Sequence, residues 1–291
     1  MAFTTLVSTD VLAKHLKDPA FAIIDCRFKL DDPSWGEKQY AQGHIPGAVY
    51  AHLDRDLSGM KTGSNGRHPL PDPIELGLKC GTWGLRAGLQ VVLYDQDSGM
   101  YASRLWWLLR WIGHNAVAVL DGGFAKWTSE RRATRSGIEK RLRTEFTITR
   151  VPQMITDASA MTELTRRSDW RMLDARAPER YRGEVEPFDK KAGHIPTARN
   201  HPFMSNLDDR GTFRTPEGLR ERFTTSMGHV PPDQIVCYCG SGVSACHNLL
   251  AMEHAGLHGA KLYPGSWSEW SSDDSRPIET GEPAPAGATS T

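Results

Sequence analysis

Residues 235–256 read Ile-Val-Cys-Tyr-Cys-Gly-Ser-Gly-Val-Ser-Ala-Cys-His-Asn-Leu-Leu-Ala-Met-Glu-His-Ala-Gly. Ile235 to Tyr238 form a short apolar run of the kind that makes a buried strand. Cys239-Gly-Ser-Gly-Val-Ser244 follows as a loop with two glycines, and a helix is predicted from near Ala245 to Gly256. Glycine lets the loop turn back with its N–H groups inward, and the helix start leaves further N–H groups unpaired. Donors that converge in this way stabilise an anion, and the atom at their centre would be the Cys239 sulfur. Such a place favours the thiolate and marks Cys239 as a nucleophile.

The second half of the chain restates the first. Asp25-Cys-Arg27 recurs as Asp174-Ala-Arg176, each after an apolar run, Phe21 to Ile24 and Arg171 to Leu173. Gly43-His-Ile-Pro46 recurs as Gly193-His-Ile-Pro196 at an offset of 150. Ser98-Gly99 recurs as Ser241-Gly242 at 143, and that offset holds through Gly113/Gly256, Gly122/Gly265 and Trp127/Trp270. About seven extra residues therefore belong to the first copy, and Asp54 to Pro73, rich in Gly, Pro and charge, has room for them. Further strands are expected at Val91–Tyr94, Val117–Leu120 and Lys261–Tyr263, with helix starts at Ser8-Thr-Asp10 and Thr156-Asp157. Short apolar strands alternating with helices specify an α/β fold, a parallel sheet with helices on both faces, and the repeat specifies two such domains. The expected boundaries are 1–135 for the first domain, 136–155 for a linker and 156–275 for the second domain. Residues 276–291, Pro-, Gly- and Glu-rich, read as a disordered tail. At the constant offset of 143, Gln96 takes the place of Cys239, so only the second copy carries the nucleophile.

Bulk properties exclude several functions. Lys+Arg and Asp+Glu balance at 35 each, which gives no basic face for nucleic acid or membrane lipid. No apolar run is long enough to span a bilayer, and the first residues lack the basic-then-apolar pattern of a secretory signal. Five cysteines are an odd number for a disulfide framework, and none of the spacings suits zinc. A reducing cytoplasm is the expected compartment for a free reactive thiol.

The repeated elements, with Gly43-His-Ile-Pro-Gly47, Tyr94-Asp95, Leu120-Asp-Gly-Gly123, Gly265-Ser-Trp267 and the Cys239 loop, resemble the tandem-domain rhodanese family of sulfurtransferases across nearly the whole chain. The resemblance implies two rhodanese-like domains, the first catalytically silent, and a persulfide formed on Cys239. Gly240 and Ser241, where thiosulfate enzymes typically carry basic residues, make the loop similar to the mercaptopyruvate type. The donor implied is 3-mercaptopyruvate, with thiosulfate as the alternative, and the acceptor is a thiol, cyanide or a thioredoxin-like protein. No metal or organic cofactor is implied. Gly240, Gly242, Val243 and Ser244 would hold the donor and the persulfide through the loop. Ser241, His68 and Asp56 would form a proton relay across the domain cleft, and Arg180 would hold the donor carboxylate. The family's second carboxylate arginine belongs to the stretch Glu184-Val-Glu-Pro-Phe-Asp-Lys-Lys191, where none stands. Lys190 and Lys191 are the cations available there, and lysine lacks the bidentate fork. Arg182 is an alternative contact.

Two other classes stand against this reading. A Cys-dependent phosphatase needs an arginine six residues after the cysteine, where this chain has Ala245. A sulfur carrier or regulatory binding module needs no turnover, but the intact Cys239 loop argues for catalysis. Cys26, Cys80 and Cys246, the Trp106-Trp107 and Trp267/Trp270 pairs, and His44 and His194 are expected to serve packing or turns.

Overall fold

A computed structural model describes residues 2–282. Among these residues nine strands form two sheets. β1 (Leu6–Val7), β2 (Phe21–Asp25), β3 (Ala48–Tyr50), β4 (Gln90–Tyr94) and β5 (Val117–Leu120) form the first, in the order β1-β5-β4-β2-β3. β6 (Arg171–Asp174), β7 (Arg199–Asn200), β8 (Ile235–Tyr238) and β9 (Lys261–Leu262) form the second, in the order β7-β6-β8-β9. Every pairing is parallel, as the alternation of strands and helices requires.

Strand alternation divides the apolar side chains between two layers. Ile24, Val91, Leu93, Val117 and Val119 point to one face of the first sheet, while Ile23, Val92, Tyr94, Ala118 and Leu120 point to the other. In the second sheet Leu173, Ile235, Cys237 and Leu262 face the same core as the first group. The domains therefore share one continuous core. Its centre is the packing of the Met100–Trp111 helix against the Ser244–His254 helix, each of which follows the equivalent strand of its own copy. Trp106, Trp107, Trp267 and Trp270 are all buried, the role expected of them.

The repeat is preserved at atomic detail. Asp25 takes a two-pronged ion pair from Arg27, which also donates to Gly43 O, and Asp174, Arg176 and Gly193 O do the same. His44 Nδ1 lies 2.8 Å from Tyr40 O and His194 Nδ1 lies 2.8 Å from Tyr181 O, so both histidines hold turns. Trp127 Nε1 donates to Ala133 O and Trp270 Nε1 to Pro277 O. Arg135 bridges to His44, and Glu279 bridges to His194.

Two expectations are corrected. Glu279 is part of the second copy, and Gly281 N–H donates to Arg182 O at 2.9 Å, so residues 276–282 are held rather than loose. The rest of the expected tail, 283–291, lies outside the described residues. Asp95, and not Gln96, takes the place of Cys239. Tyr94 pairs with Asp25 as Tyr238 pairs with Asp174, and Phe124 N–H donates to Asp95 O as Trp267 N–H donates to Cys239 O. The offset is thus 144 at the strand end, and the first loop holds one residue more before Gly99. Residues 138–151 run without helix or ladder strand against the first domain, where Thr144, Thr149 and Val151 donate to Gly81, Ile112 and Trp111 carbonyls.

A buried polar chain joins the domains beside the helix pair. His247 Nε2 lies 2.9 Å from Ser98 O, so that nitrogen carries the proton and Nδ1 accepts from Asn206 Nδ2 at 3.1 Å. Asn206 Oδ1 in turn lies 3.1 Å from His201 Nε2. Burial pushes both His247 and His201 down to about 4. The unfolded chain, with histidines near 6.5, binds protons that the native state refuses, so stability falls as pH drops through that value. The pair should cost about 1.5 kcal/mol between pH 7.5 and pH 6. Asp95, which burial pushes up to about 6, acts in the opposite sense chiefly below that window. Urea unfolding at the two pH values checks this, and an unchanged or higher midpoint at pH 6 would contradict it.

Candidate active site

Cys239 follows β8 directly and is 2% exposed. Its N–H donates to Ser266 Oγ at 3.1 Å, and Gly242 N–H donates to its sulfur at 3.1 Å. Gly242 adopts φ +77, and a Cβ there would lie 2.4 Å from Pro264 O. Only glycine can turn the chain so tightly under Cys239. In the first copy the equivalent donor, Gly99 N–H, goes to the Asp95 carboxylate at 2.9 Å, and Tyr101 and Ala102 N–H groups join it. The same helix start thus holds a fixed carboxylate in one domain and the cysteine sulfur in the other. Ser266 has φ +54, where the first copy has Gly123 at φ +58. The serine keeps this strained backbone while its hydroxyl holds the Cys239 N–H.

A chain of polar contacts crosses between the domains. His68 Nδ1 lies 2.8 Å from Ser241 Oγ, and Nε2 lies 3.3 Å from Asp54 Oδ1. With Nε2–H directed at the carboxylate, Nδ1 is the acceptor for the serine hydroxyl. Burial pushes the His68 imidazole below the usual histidine value, although Asp54 pulls it upward and Arg104 pushes it further down. The hydrogen bond from His68 holds Asp54 below the usual carboxylate range.

The acid expected here, Asp56, is elsewhere. Its Oδ2 accepts His52 N–H at 2.8 Å and its Oδ1 lies 2.7 Å from Lys79 Nζ. Residues two apart on the short Leu53–Asp56 helix face different directions, so only one of the two acids can meet His68.

Arg104, from the Met100–Trp111 helix, is fully buried, and among the described residues its guanidinium donates only to main-chain carbonyls. Its Nη2 donates to His68 O at 3.0 Å and its Nη1 to Gly242 O at 3.1 Å, tying the histidine loop to the cysteine loop. Arg180 Nη2 pairs with Glu186 at 2.7 Å and lies 3.8 Å from Asp189 Oδ2. A cavity of about 190 Å³ brings together Cys239, Gly240, Ser241, Val243, Ser244 and Arg180, with Arg67 reaching in from the first domain. Lys191 pairs with Asp274 at 2.5 Å, and Lys190 and Lys191 line an adjoining groove that shares Arg67 and Phe188 with this cavity. Arg182 pairs with Glu184 and Glu282 at the surface.

Arg67, Asp54, Arg104 and Ser266 were not among the sequence candidates. Arg67 adjoins His68, and Arg104 stands directly before the apolar run Leu105-Trp-Trp-Leu-Leu109, which were the available signals. The other thiols are unsuited to the role. Burial raises Cys26, Cys80 and Cys237 well above the usual thiol value and pushes Cys246 up to about 12.

The rhodanese-like domain profile matches residues 8–130 and again 157–273. The chain belongs to the rhodanese family, with two domains in tandem. It is 46% identical to a probable 3-mercaptopyruvate sulfurtransferase of Pseudomonas aeruginosa, over 97% of this chain and 100% of that one. It is 39% identical to a putative thiosulfate sulfurtransferase of Mycobacterium tuberculosis, over 91% and 92% of the two chains. Among solved structures, 3-mercaptopyruvate sulfurtransferase from Leishmania major superposes with a TM-score of 0.82 at 32% identity, over 92% of this chain and 74% of that one.

Gly242→Ala should cost about 2 kcal/mol or more, because left-handed backbone with a Cβ is disfavoured and the opposing carbonyl is part of the main chain. Chemical denaturation measures this loss, and wild-type stability in the variant would contradict the tight turn.

Proposed function

We propose that this chain is a sulfurtransferase that takes sulfur from 3-mercaptopyruvate onto Cys239 and passes it to a thiol, cyanide or a thioredoxin-like protein. The observation that carries this is the contact between His68 and Ser241 across the domains, with Ser241 lining the same cavity as Cys239. A thiosulfate donor needs no proton for its leaving sulfite, whereas a leaving enolate does, and a proton relay fits the second case.

The Cys239 thiolate attacks the donor sulfur. The S–C bond breaks and its electron pair leaves on the carbon fragment as the enolate of pyruvate. The proton carried by the donor thiol ends on the enolate carbon, passing through Ser241 and His68, and the persulfide is left as an anion. Neutral His68 accepts at Nδ1, and Asp54 stabilises the transient imidazolium. The Gly242 N–H, already on the sulfur, stabilises negative charge there in both states. Arg180 binds the donor carboxylate. In the second half-reaction the acceptor attacks the outer sulfur and Cys239 leaves again as thiolate. With five free buried thiols, the protein suits the reducing cytoplasm.

Steady-state assays should give a kcat/KM for 3-mercaptopyruvate about tenfold or more above that for thiosulfate. The opposite preference would contradict the donor. Cys239→Ser should lose turnover with both donors, and retained activity would sink the mechanism.

Asp54→Asn should lower kcat about a hundredfold, whereas Asp56→Asn lowers thermal stability with kcat within about twofold. Removing Asp54 takes away the group that holds the His68 imidazole up, so the acid limb of the kcat profile moves to lower pH. Equal effects of the two substitutions would return the role to Asp56.

A further inference from the structure

The cavity lined by Cys239 is small, about 190 Å³, and it adjoins a larger space. That space, a groove of about 440 Å³, shares Arg67 and Phe188 with the cavity. Both domains build it. The stretch from Lys61 to Arg67 supplies one side, and Lys190, Lys191, Ser268, Ser271 and Ser272 supply the other. Gly66 lets the two sides approach, because at φ +86 a Cβ there would lie 2.7 Å from Gly265 O. Arg67 N–H fixes the approach by donating to Ser268 Oγ at 3.0 Å.

Charge in the groove does not cancel. Arg67 pairs with Asp189 and Lys191 with Asp274, which leaves Lys61 and Lys190. Lys61 lies 3.7 Å from Asp54 Oδ1, an oxygen already turned to His68. Lys190 is exposed, and among the described residues it has no ion-pair partner. Ser271 adds a neutral donor. It is 4% exposed and lines the groove, yet among the described residues its hydroxyl has no hydrogen-bond partner. Two ammonium groups and an unpartnered hydroxyl suit the oxygens of a carboxylate ligand.

The cycle fixes what that ligand must be. Once pyruvate has left, the next molecule at Cys239 is the nucleophile that removes the outer sulfur. A thiol larger than the cavity keeps its body outside, and the opposite side, with Leu30, Tyr101 and Phe203, is apolar. A charged body is therefore drawn to the basic groove.

We propose that this groove holds the body of the sulfur acceptor and that the acceptor it fits is a small thiol bearing carboxylates, bound by Lys61, Lys190 and Ser271 while its sulfur reaches Cys239. The proposal rests on the sulfur-transfer reading of Cys239 and names the acceptor class for it. The acceptor thiol gives its proton to solvent, and its thiolate attacks the outer sulfur. The S–S bond breaks with its electron pair on Cys239, and the acceptor leaves as a persulfide anion.

The test is steady-state pyruvate release by the full chain at saturating 3-mercaptopyruvate with the acceptor varied. Glutathione, with two carboxylates, is compared with uncharged 2-mercaptoethanol, and thermal unfolding is the folding control. Lys190→Glu should raise KM for glutathione about fivefold or more and leave KM for 2-mercaptoethanol within about twofold. Ser271→Ala should raise KM for glutathione about threefold. Added salt should weaken glutathione alone. A glutathione KM within about twofold of wild type in Lys190→Glu, an equal rise for both thiols, or a wild type that prefers the uncharged thiol would overturn the inference. If no pyruvate appears, the donor reading falls, and the same comparison with thiosulfate as donor still decides the acceptor groove. A chain charged by neither donor overturns both.

Discussion

One buried guanidinium sets the geometry on which the site depends. Arg104 donates to Leu57, His68 and Pro69 carbonyls of its own domain and to the Gly242 carbonyl of the other. A buried cation without a carboxylate is tolerated only where several acceptors converge, so the arginine makes the arrangement of those four carbonyls obligatory. The helix that carries it packs on the helix that follows Cys239, within a core common to both sheets. Cleft geometry is therefore a property of the packed interior. His68 meets Ser241 because the two loops are clamped to the same side chain.

Duplication followed by divergence accounts for the division of labour. Both copies keep the Asp–Arg pair, the Gly-His-Ile-Pro turn and the tyrosine at the strand end, which build the frame. They differ at the helix start. The first fills it with Asp95, and the second leaves it to Cys239. The first copy is more than packing, because Asp54, Arg67, His68 and Arg104 all come from it. The stretch between Asp54 and Pro73 reaches over to the Cys239 loop of the other domain, where His68 meets Ser241.

The fold was legible because its signals are short-range. Apolar strands, glycines in left-handed turns and two copies of one motif are each visible in a few residues. That Cys239, Ser241 and Arg180 line one cavity and that His68 meets Ser241 was legible for the same reason, since each lies in a short recognisable stretch. The misreadings share a different cause. Choosing between Asp54 and Asp56 required the direction of each side chain on a single helical turn. Replacing Gln96 by Asp95 required strand register, because one extra loop residue is invisible to a constant offset. Residues 276–282 looked too polar to be ordered, yet a main-chain bridge from Glu279 to His194 holds them. Arg67 and Arg104 act across the domain interface, and sequence distance conceals such partners.

The central claim is that sulfur is stored on Cys239 after transfer from a small keto acid. Four further thiols make the claim specific, because each of Cys26, Cys80, Cys237 and Cys246 sits where burial favours the protonated form. The most direct measurement is the intact mass of the protein after treatment with 3-mercaptopyruvate without acceptor, followed by peptide mapping and pyruvate assay. The account predicts a gain of about one sulfur atom, located on Cys239 and matched by an equal amount of pyruvate. No gain, or a gain on another cysteine, would contradict it.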